Sequence, residues 1–322
     1  MRETVEPIGL LDVEAARERL QGLSLCAPLL NFDAAPAGKT VMLKLENLQP
    51  IGSFKIRPIG NAVLARARSE LAGGIYTTSS GNSALGLAYM ARRLGIAATA
   101  IVPSNAPAAK LEKLRRLGAR IEVRPADEWW RAIESGTLAD QPGLYIDAVR
   151  DPASLAGDAT IGVEILAEWP EVEAILVPFG GGGLAGGIAC AARLLRPEVK
   201  IIACELQSAR PLAAALAAGH PVTIPHDAGF VSGVGFGTVL PEMWPLLKSM
   251  IHDVVTVSLA ETAAAIKTLV ERNHVVAEGA GALPLAAALS GRYSASKVCV
   301  VVSGGNLDSG ALAAILEGRL PG

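Results

Sequence analysis

A lysine that could form an imine and a glycine-rich loop that could cradle a phosphate are the two features of this 322-residue sequence from which its chemistry can be read. Lys55 stands in Lys44-Leu45-Glu46-Asn47-Leu48-Gln49-Pro50-Ile51-Gly52-Ser53-Phe54-Lys55-Ile56-Arg57, just past a predicted strand and a Gly-Ser turn, beside an aromatic residue. Most lysines are solvated surface amines, but one held partly desolvated at the mouth of a sheet has a lowered pKa and can form an imine with an aldehyde. The second feature, Phe179-Gly180-Gly181-Gly182-Gly183-Leu184-Ala185-Gly186-Gly187, follows the apolar run AILVP and opens a predicted helix. Glycines let the backbone approach an anion, and a helix amino end offers it unpaired N–H groups, so the loop reads as a phosphate cradle; tight strand-to-helix packing is the plainer alternative. Gly181-x-Gly183-x-x-Gly186 also satisfies a dinucleotide fingerprint, with Glu205 ending the next strand 19 residues further on, where a ribose-binding acid would sit. That would make the chain a nicotinamide-dependent oxidoreductase. A Walker-type loop is excluded because no Gly-Lys-Ser/Thr follows.

Short Val- and Ile-rich runs alternate with Ala- and Leu-rich stretches of helical length. Strands are predicted over Thr40–Glu46, Gly74–Thr77, Ala97–Val102, Ala119–Val123, Val172–Val177, Lys200–Glu205, Val254–Val257 and Val298–Val302. Helices are predicted over Ile56–Leu71, Ser83–Leu94, Ala109–Leu117, Ser154–Glu168, Leu184–Leu195, Leu259–Arg272 and Ala280–Leu289. This alternation implies an α/β protein with mostly parallel sheet and helices on both faces, the ligand lying at the strand carboxyl ends. Two interleaved domains are expected: residues 1–70 and 146–322 as a large cofactor-binding body, and 71–145 as a small substrate-side unit.

The composition narrows the class. Charged residues are 19%, the net charge is −2 and hydrophobic residues are 51%, which describes a well-buried globular protein with no electrostatic footprint for nucleic acid. The start, MRETVEPIGLLDVEAARERL, lacks the form of a signal peptide, and the most apolar stretch, 174–192, is broken by Pro178 and four glycines, so no membrane partner is expected. Cys26, Cys190, Cys204 and Cys299 lie far apart with no ligand spacing, which reads as reduced thiols in a cytoplasmic protein. No metal site is expected.

The order of motifs then points to a family. ENLQPIGSFKIR at Lys55, SSGNSALG at 79–86, VPSNAPAAKLEKLRRLGA at 102–119, LAGDATIGVEI at 155–165, GGGGLAGG at 180–187, EGAGALPLAAAL at 278–289 and SGGN at 303–306 together resemble the serine/threonine dehydratases. These are pyridoxal-phosphate enzymes of the tryptophan synthase β-subunit fold, fold type II. The resemblance covers nearly the whole length. It implies that Lys55 carries pyridoxal 5'-phosphate as a Schiff base and removes the α-proton. It implies also that Gly180, Gly181, Gly182, Gly183 and Leu184 hold the cofactor phosphate, which makes the dinucleotide fingerprint incidental. By the same resemblance Asn82 serves the pyridine 3-oxygen, Phe54 packs on the ring, Ser303 faces the pyridine nitrogen, and Ser79, Ser80, Gly81 and Ser83 bind the substrate carboxylate. In relatives with racemase activity a serine at the place of Ser80 handles the proton on the face opposite the lysine. Simple helix capping is the plainer role for these serines, and a helix-terminal acid that for Glu278. Trp129-Trp130 reads most simply as helix packing.

The departures bear on substrate. Relatives commonly read SGNHAQG where this chain has Ser83 and Leu85, which implies a β-substituent bulkier or less polar than that of serine, as in phenylserine. The usual AGQGT is Ala156-Gly157-Asp158-Ala159-Thr160, and Pro211 stands where a second metal-binding acid accompanies the counterpart of Glu205. The resulting expectation is a cytoplasmic, homodimeric dehydratase acting on a 3-hydroxy amino acid (threonine, serine or a bulkier phenylserine-type analogue), with an amino-acid racemase or a β-replacement enzyme as the alternatives within the same cofactor class.

Overall fold

A computed structural model of the chain describes residues 3–321 other than positions 105, 107, 139 and 235. Its strands are β1 (Leu29–Asn31), β2 (Thr40–Lys44), β3 (Ile75–Thr78), β4 (Ala98–Pro103), β5 (Arg120–Arg124), β6 (Leu144–Tyr145), β7 (Ala174–Pro178), β8 (Lys200–Leu206), β9 (Asp253–Val257) and β10 (Lys297–Val301). They form two sheets. A six-stranded sheet runs in the order β1-β2-β10-β7-β8-β9, parallel except where β1 pairs antiparallel with β2 at the edge. A four-stranded parallel sheet runs β5-β4-β3-β6 and draws all its strands from residues 75–145.

The unbroken apolarity of the central strands follows from burial on both faces. In β10 and the residue after it, Cys299 and Val301 point into one core while Val298, Val300 and Val302 point into the other, the period-two alternation of a strand. The helices Pro152–Glu168 and Gly183–Leu195 cover the first face, and Leu259–Asn273 and Gly279–Ser290 the second. A third core joins the small sheet to the helices Ile56–Leu64 and Asn82–Leu94.

The helix predicted over Ile56–Leu71 stops at Leu64. Beyond it Arg66 turns to the distant Asp151 at 2.5 Å and the Glu70 carboxylate accepts the Ala67 N–H at 2.8 Å, so a long-range ion pair and a local side-chain bond replace the next helical turn. The short strands β1 and β6 carry no sequence signal of their own, because each exists by pairing with a longer neighbour. Among the described residues no helix is long and apolar enough to cross a membrane, and all four cysteines are free.

Candidate active site

Lys55 is fixed by the backbone on both sides. Gly52 takes φ +73° to turn the chain, Ser53 bridges Gly304, and Phe54 N–H donates to the Ser303 carbonyl at 2.9 Å. Lys55 then caps the helix Ile56–Leu64, whose second residue, Arg57, is 1% exposed and lies in a bed of acceptors. Its guanidinium donates to Glu46 at 2.8 and 2.9 Å and to Glu164 at 2.7 and 2.8 Å, and further to Thr160 Oγ1 and the Leu25 carbonyl. That lock holds the lysine's backbone to the large sheet. The amine lies 4.7 Å from the Phe54 ring centroid and 3.4 Å from the Ala148 carbonyl, to which it donates. Burial pushes its pKa down, against the opposing pull of Asp158 and Asp147, so the lysine has the desolvated character that imine chemistry needs.

The glycine loop meets the lysine across the same cavity, of about 280 Å³. Neighbouring atoms crowd any side chain along it: a Cβ would lie 2.4 Å from Gly233 O at Gly180, 3.0 Å from Val149 at Gly181, 2.8 Å from Leu247 at Gly182 and 3.1 Å from Ala148 O at Gly183. Gly182, at φ +94°, precedes the helix Gly183–Leu195 with no side-chain cap, so the first-turn N–H groups are left for a ligand. A second such end faces the same space. After β3, Ser79 Oγ accepts the Gly81 N–H at 3.1 Å, and the helix begins at Asn82 without a side-chain cap. The serines therefore do not cap that helix, and its amino end is open to a carboxylate.

Every residue to which the resemblance assigns a cofactor or substrate role lines this one cavity: Phe54, Lys55, Ser79, Ser80, Gly81, Asn82, Ser83, Gly180, Gly181, Gly182, Gly183, Leu184 and Ser303. Asn82 is held at both ends of its amide, accepting from Asn306 Nδ2 at 2.9 Å and donating to Glu278 Oε1 at 2.6 Å, which leaves one N–H for a ligand. Glu278 precedes the helix Gly279–Ser290, yet its carboxylate turns to Asn82 and caps nothing. A Cβ at Gly304 would lie 2.4 Å from Glu278 Oε1, so the glycine of SGGN makes room for that contact.

Trp129 packs its helix on β4, as expected, and also reaches the cavity. Its indole donates to the Ile101 carbonyl at 3.1 Å and its ring lines the cavity, while Trp130 packs against Phe236 at 5.8 Å between centroids. With Tyr145, Leu85, Ile133 and Phe236 it forms an apolar wall. The sequence signal was the aromatic pair itself, but the turn of the helix Ala126–Ser135 that aims Trp129 inward is a tertiary fact. Arg150, held by Asp147 at 2.7 Å, also lines the cavity and was not singled out in the sequence.

A cradle crowded against any Cβ, two uncapped helix ends and a desolvated lysine suit a phosphorylated aldehyde that also carries a polar ring, as pyridoxal phosphate does. A dinucleotide fits less well, because Glu205 is fully buried and spends its oxygens on the N–H groups of Leu212 and Ala213 at 2.8 and 3.0 Å. Burial pushes that carboxyl up to about 7, and nothing leaves it free for a ribose. Cys26, Glu164 and Glu168 converge closely enough to hold an ion, but Lys44 and Arg57 already occupy the carboxylates.

Comparison with known proteins agrees with this geometry. Residues 21–304 match the profile of a family described as pyridoxal-phosphate dependent enzyme. The chain is 37% identical to an L-threonine ammonia-lyase of Geobacter sulfurreducens over 87% of its own length and 70% of the relative's. It is 33% identical to a serine racemase of Arabidopsis thaliana over 94% of each chain. Its fold superposes on maize serine racemase with a TM-score of 0.87 and 30% identity, covering 97% of this chain and 98% of that one.

Proposed function

Since the chain belongs to the family of pyridoxal-phosphate dependent enzymes, we propose that it eliminates water from a 3-hydroxy amino acid to give a 2-oxo acid and ammonia. The observation that carries the reading is the single cavity in which the desolvated amine of Lys55 faces both the glycine cradle and the open amino end of the helix Asn82–Leu94. Pyridoxal phosphate, when bound, supplies an electron sink for charge that develops at the substrate's α-carbon. Gly180, Gly181, Gly182, Gly183 and Leu184 would hold its phosphate, and Phe54, Asn82 and Ser303 its ring. Ser79, Ser80, Gly81 and Ser83 would surround the substrate carboxylate, the serines offering hydroxyls and the helix Asn82–Leu94 its open amino end, with the Gly81 N–H exchanging Ser79 Oγ for the ligand. Lys55 Nζ takes the α-proton, a role its lowered pKa favours because a neutral amine is the base.

Elimination is taken as the first reading on the state of Ser80. Ser80 lines the cavity but has no hydrogen-bond partner among the described residues that would activate its hydroxyl as a second base. Racemisation is nonetheless the second reading, supported by Ser80's place in the cavity and by relatives that are serine racemases. The wall of Trp129, Tyr145, Phe236 and Leu85 supports an aryl or otherwise less polar β-substituent. The two-body division at 71–145, supported by the two separate sheets, belongs to this proposal, as do a homodimer and a cytoplasmic location.

The test is a product assay on L-serine, L-threonine and L-threo-phenylserine. The 2-oxo acid is expected, formed fastest from phenylserine. Formation of the D-amino acid alone, abolished in Ser80→Ala, would favour racemisation, and a preference for serine would contradict the role given to the apolar wall.

A further inference from the structure

The helix Pro152–Glu168 carries a carboxyl that the proposed reaction leaves unused. Asp158 is fully buried, and neither of its oxygens has a hydrogen-bond partner among the described residues. Three glycines set its place. A Cβ on Gly157 would lie 2.4 Å from the Arg57 carbonyl, so this helix sits flush against the chain two residues past Lys55. A Cβ on Gly187 would lie 2.6 Å from the Asp158 Cβ, which brings the cradle helix equally close. On Gly183, the first residue of that helix, a Cβ would lie 3.4 Å from Asp158 Oδ2 and 3.1 Å from the Ala148 carbonyl, the same carbonyl that accepts from Lys55 Nζ.

The carboxyl, the amine and the first turn of the cradle helix therefore share one neighbourhood beneath the cavity. Lys55 and Arg57 face Asp158 from the helix Ile56–Leu64 and its cap, Glu46 from the turn before it, and Asp147 acts on Lys55. The cradle helix carries Cys190, whose thiol burial pushes up, and Arg193 near its far end. Burial pushes Asp158 up to about 8, with Lys55 pulling down, Glu46 pushing further up and Arg57 pulling down; burial lowers Lys55.

We propose that Asp158 is a positioning residue that shares one proton with Lys55, the carboxyl holding a proton while the amine is neutral. No hydrogen bond joins the two groups, so Nζ releases its proton to solvent and a carboxyl oxygen takes one up from solvent, with no other bond changed. Lys55 is thereby free to attack an aldehyde at neutral pH, and an uncharged acid, in place of a carboxylate, lies under the turn that receives an anionic phosphate ester. This rests on the reading of Lys55 and the glycine loop as a cofactor site, but its test needs no cofactor.

The test is the pH dependence of unfolding of the full chain without cofactor, in wild type, Asp158→Asn and Lys55→Met. Unfolded, the pair holds one proton across the neutral range, on the lysine; folded, it also holds one, so the pair gives wild type no slope. In Asp158→Asn the folded state holds none and the unfolded state one, so stability relative to wild type rises with pH, by up to tenfold in the unfolding equilibrium per pH unit. In Lys55→Met the folded state holds one and the unfolded none, so relative stability falls as pH rises towards about 8. Asp158→Gln is expected to follow Asp158→Asn. A second readout is the sulfate-induced rise in Tm, which should shrink for wild type above pH 8, where Asp158 becomes charged, and persist in Asp158→Asn. Profiles of both variants parallel to wild type would overturn the proposal. The cofactor reading fails separately, if wild type takes up no pyridoxal phosphate.

Discussion

Two ionisable groups, the part-buried Glu164 and the fully buried Asp158, stand close together along the helix Pro152–Glu168 and are built on opposite plans. Glu164, with Thr160, receives Arg57, and acceptors surround all three guanidinium nitrogens. Lys44, itself fully buried, completes the cluster through Glu164, Glu168 and the Ala27 carbonyl. Asp158 has no such partners. A buried charge with every bond made is scaffold, since removing one member strands the others, whereas a buried acid with none made is left free to exchange a proton. The scaffold holds the chain two residues past Lys55, and the unbonded acid acts on its amine, so the contrast divides the work of positioning the lysine from that of setting its charge.

The largest effect is expected from Arg57→Ala, which strands Glu46 and Glu164. It should lower unfolding stability by about 3–5 kcal/mol in denaturant titration. Asp158→Asn removes no hydrogen bond, and a comparable loss at pH 7 would erase the distinction between the two sites. Gly182→Ala comes next: the φ of +94° and a Cβ 2.8 Å from Leu247 should cost about 1–2 kcal/mol in stability and weaken capture of pyridoxal phosphate, read by equilibrium titration. Unchanged capture would mean that the loop is a packing device.

Much of the site was legible because it is local in sequence. The turn before Lys55, the glycine run and the serine loop each announce a backbone shape within a few residues, and the cavity unites them. What was not legible depends on distant partners. Glu278 looks like a helix-terminal acid until Gly304 makes room for it to reach Asn82. Glu205 sits where a ribose acid belongs until Leu212 and Ala213 claim it. The role of Asp158 lies in bonds that it does not make, and no pattern of residue types reveals that. In the fold, the alternation of runs gave the parallel sheets their strands, while β1, β6 and the stop at Leu64 were set by pairing and side-chain bonds that periodicity does not record.

The central claim is that Lys55 is the amine that takes the cofactor. Its direct measurement is borohydride reduction of the wild-type protein after addition of pyridoxal phosphate, followed by mass mapping of the modified peptide. The account predicts a single stoichiometric label on Lys55, with visible absorbance lost in Lys55→Ala. A label on another lysine, or none on a protein that nevertheless turns over a 3-hydroxy amino acid, would contradict it.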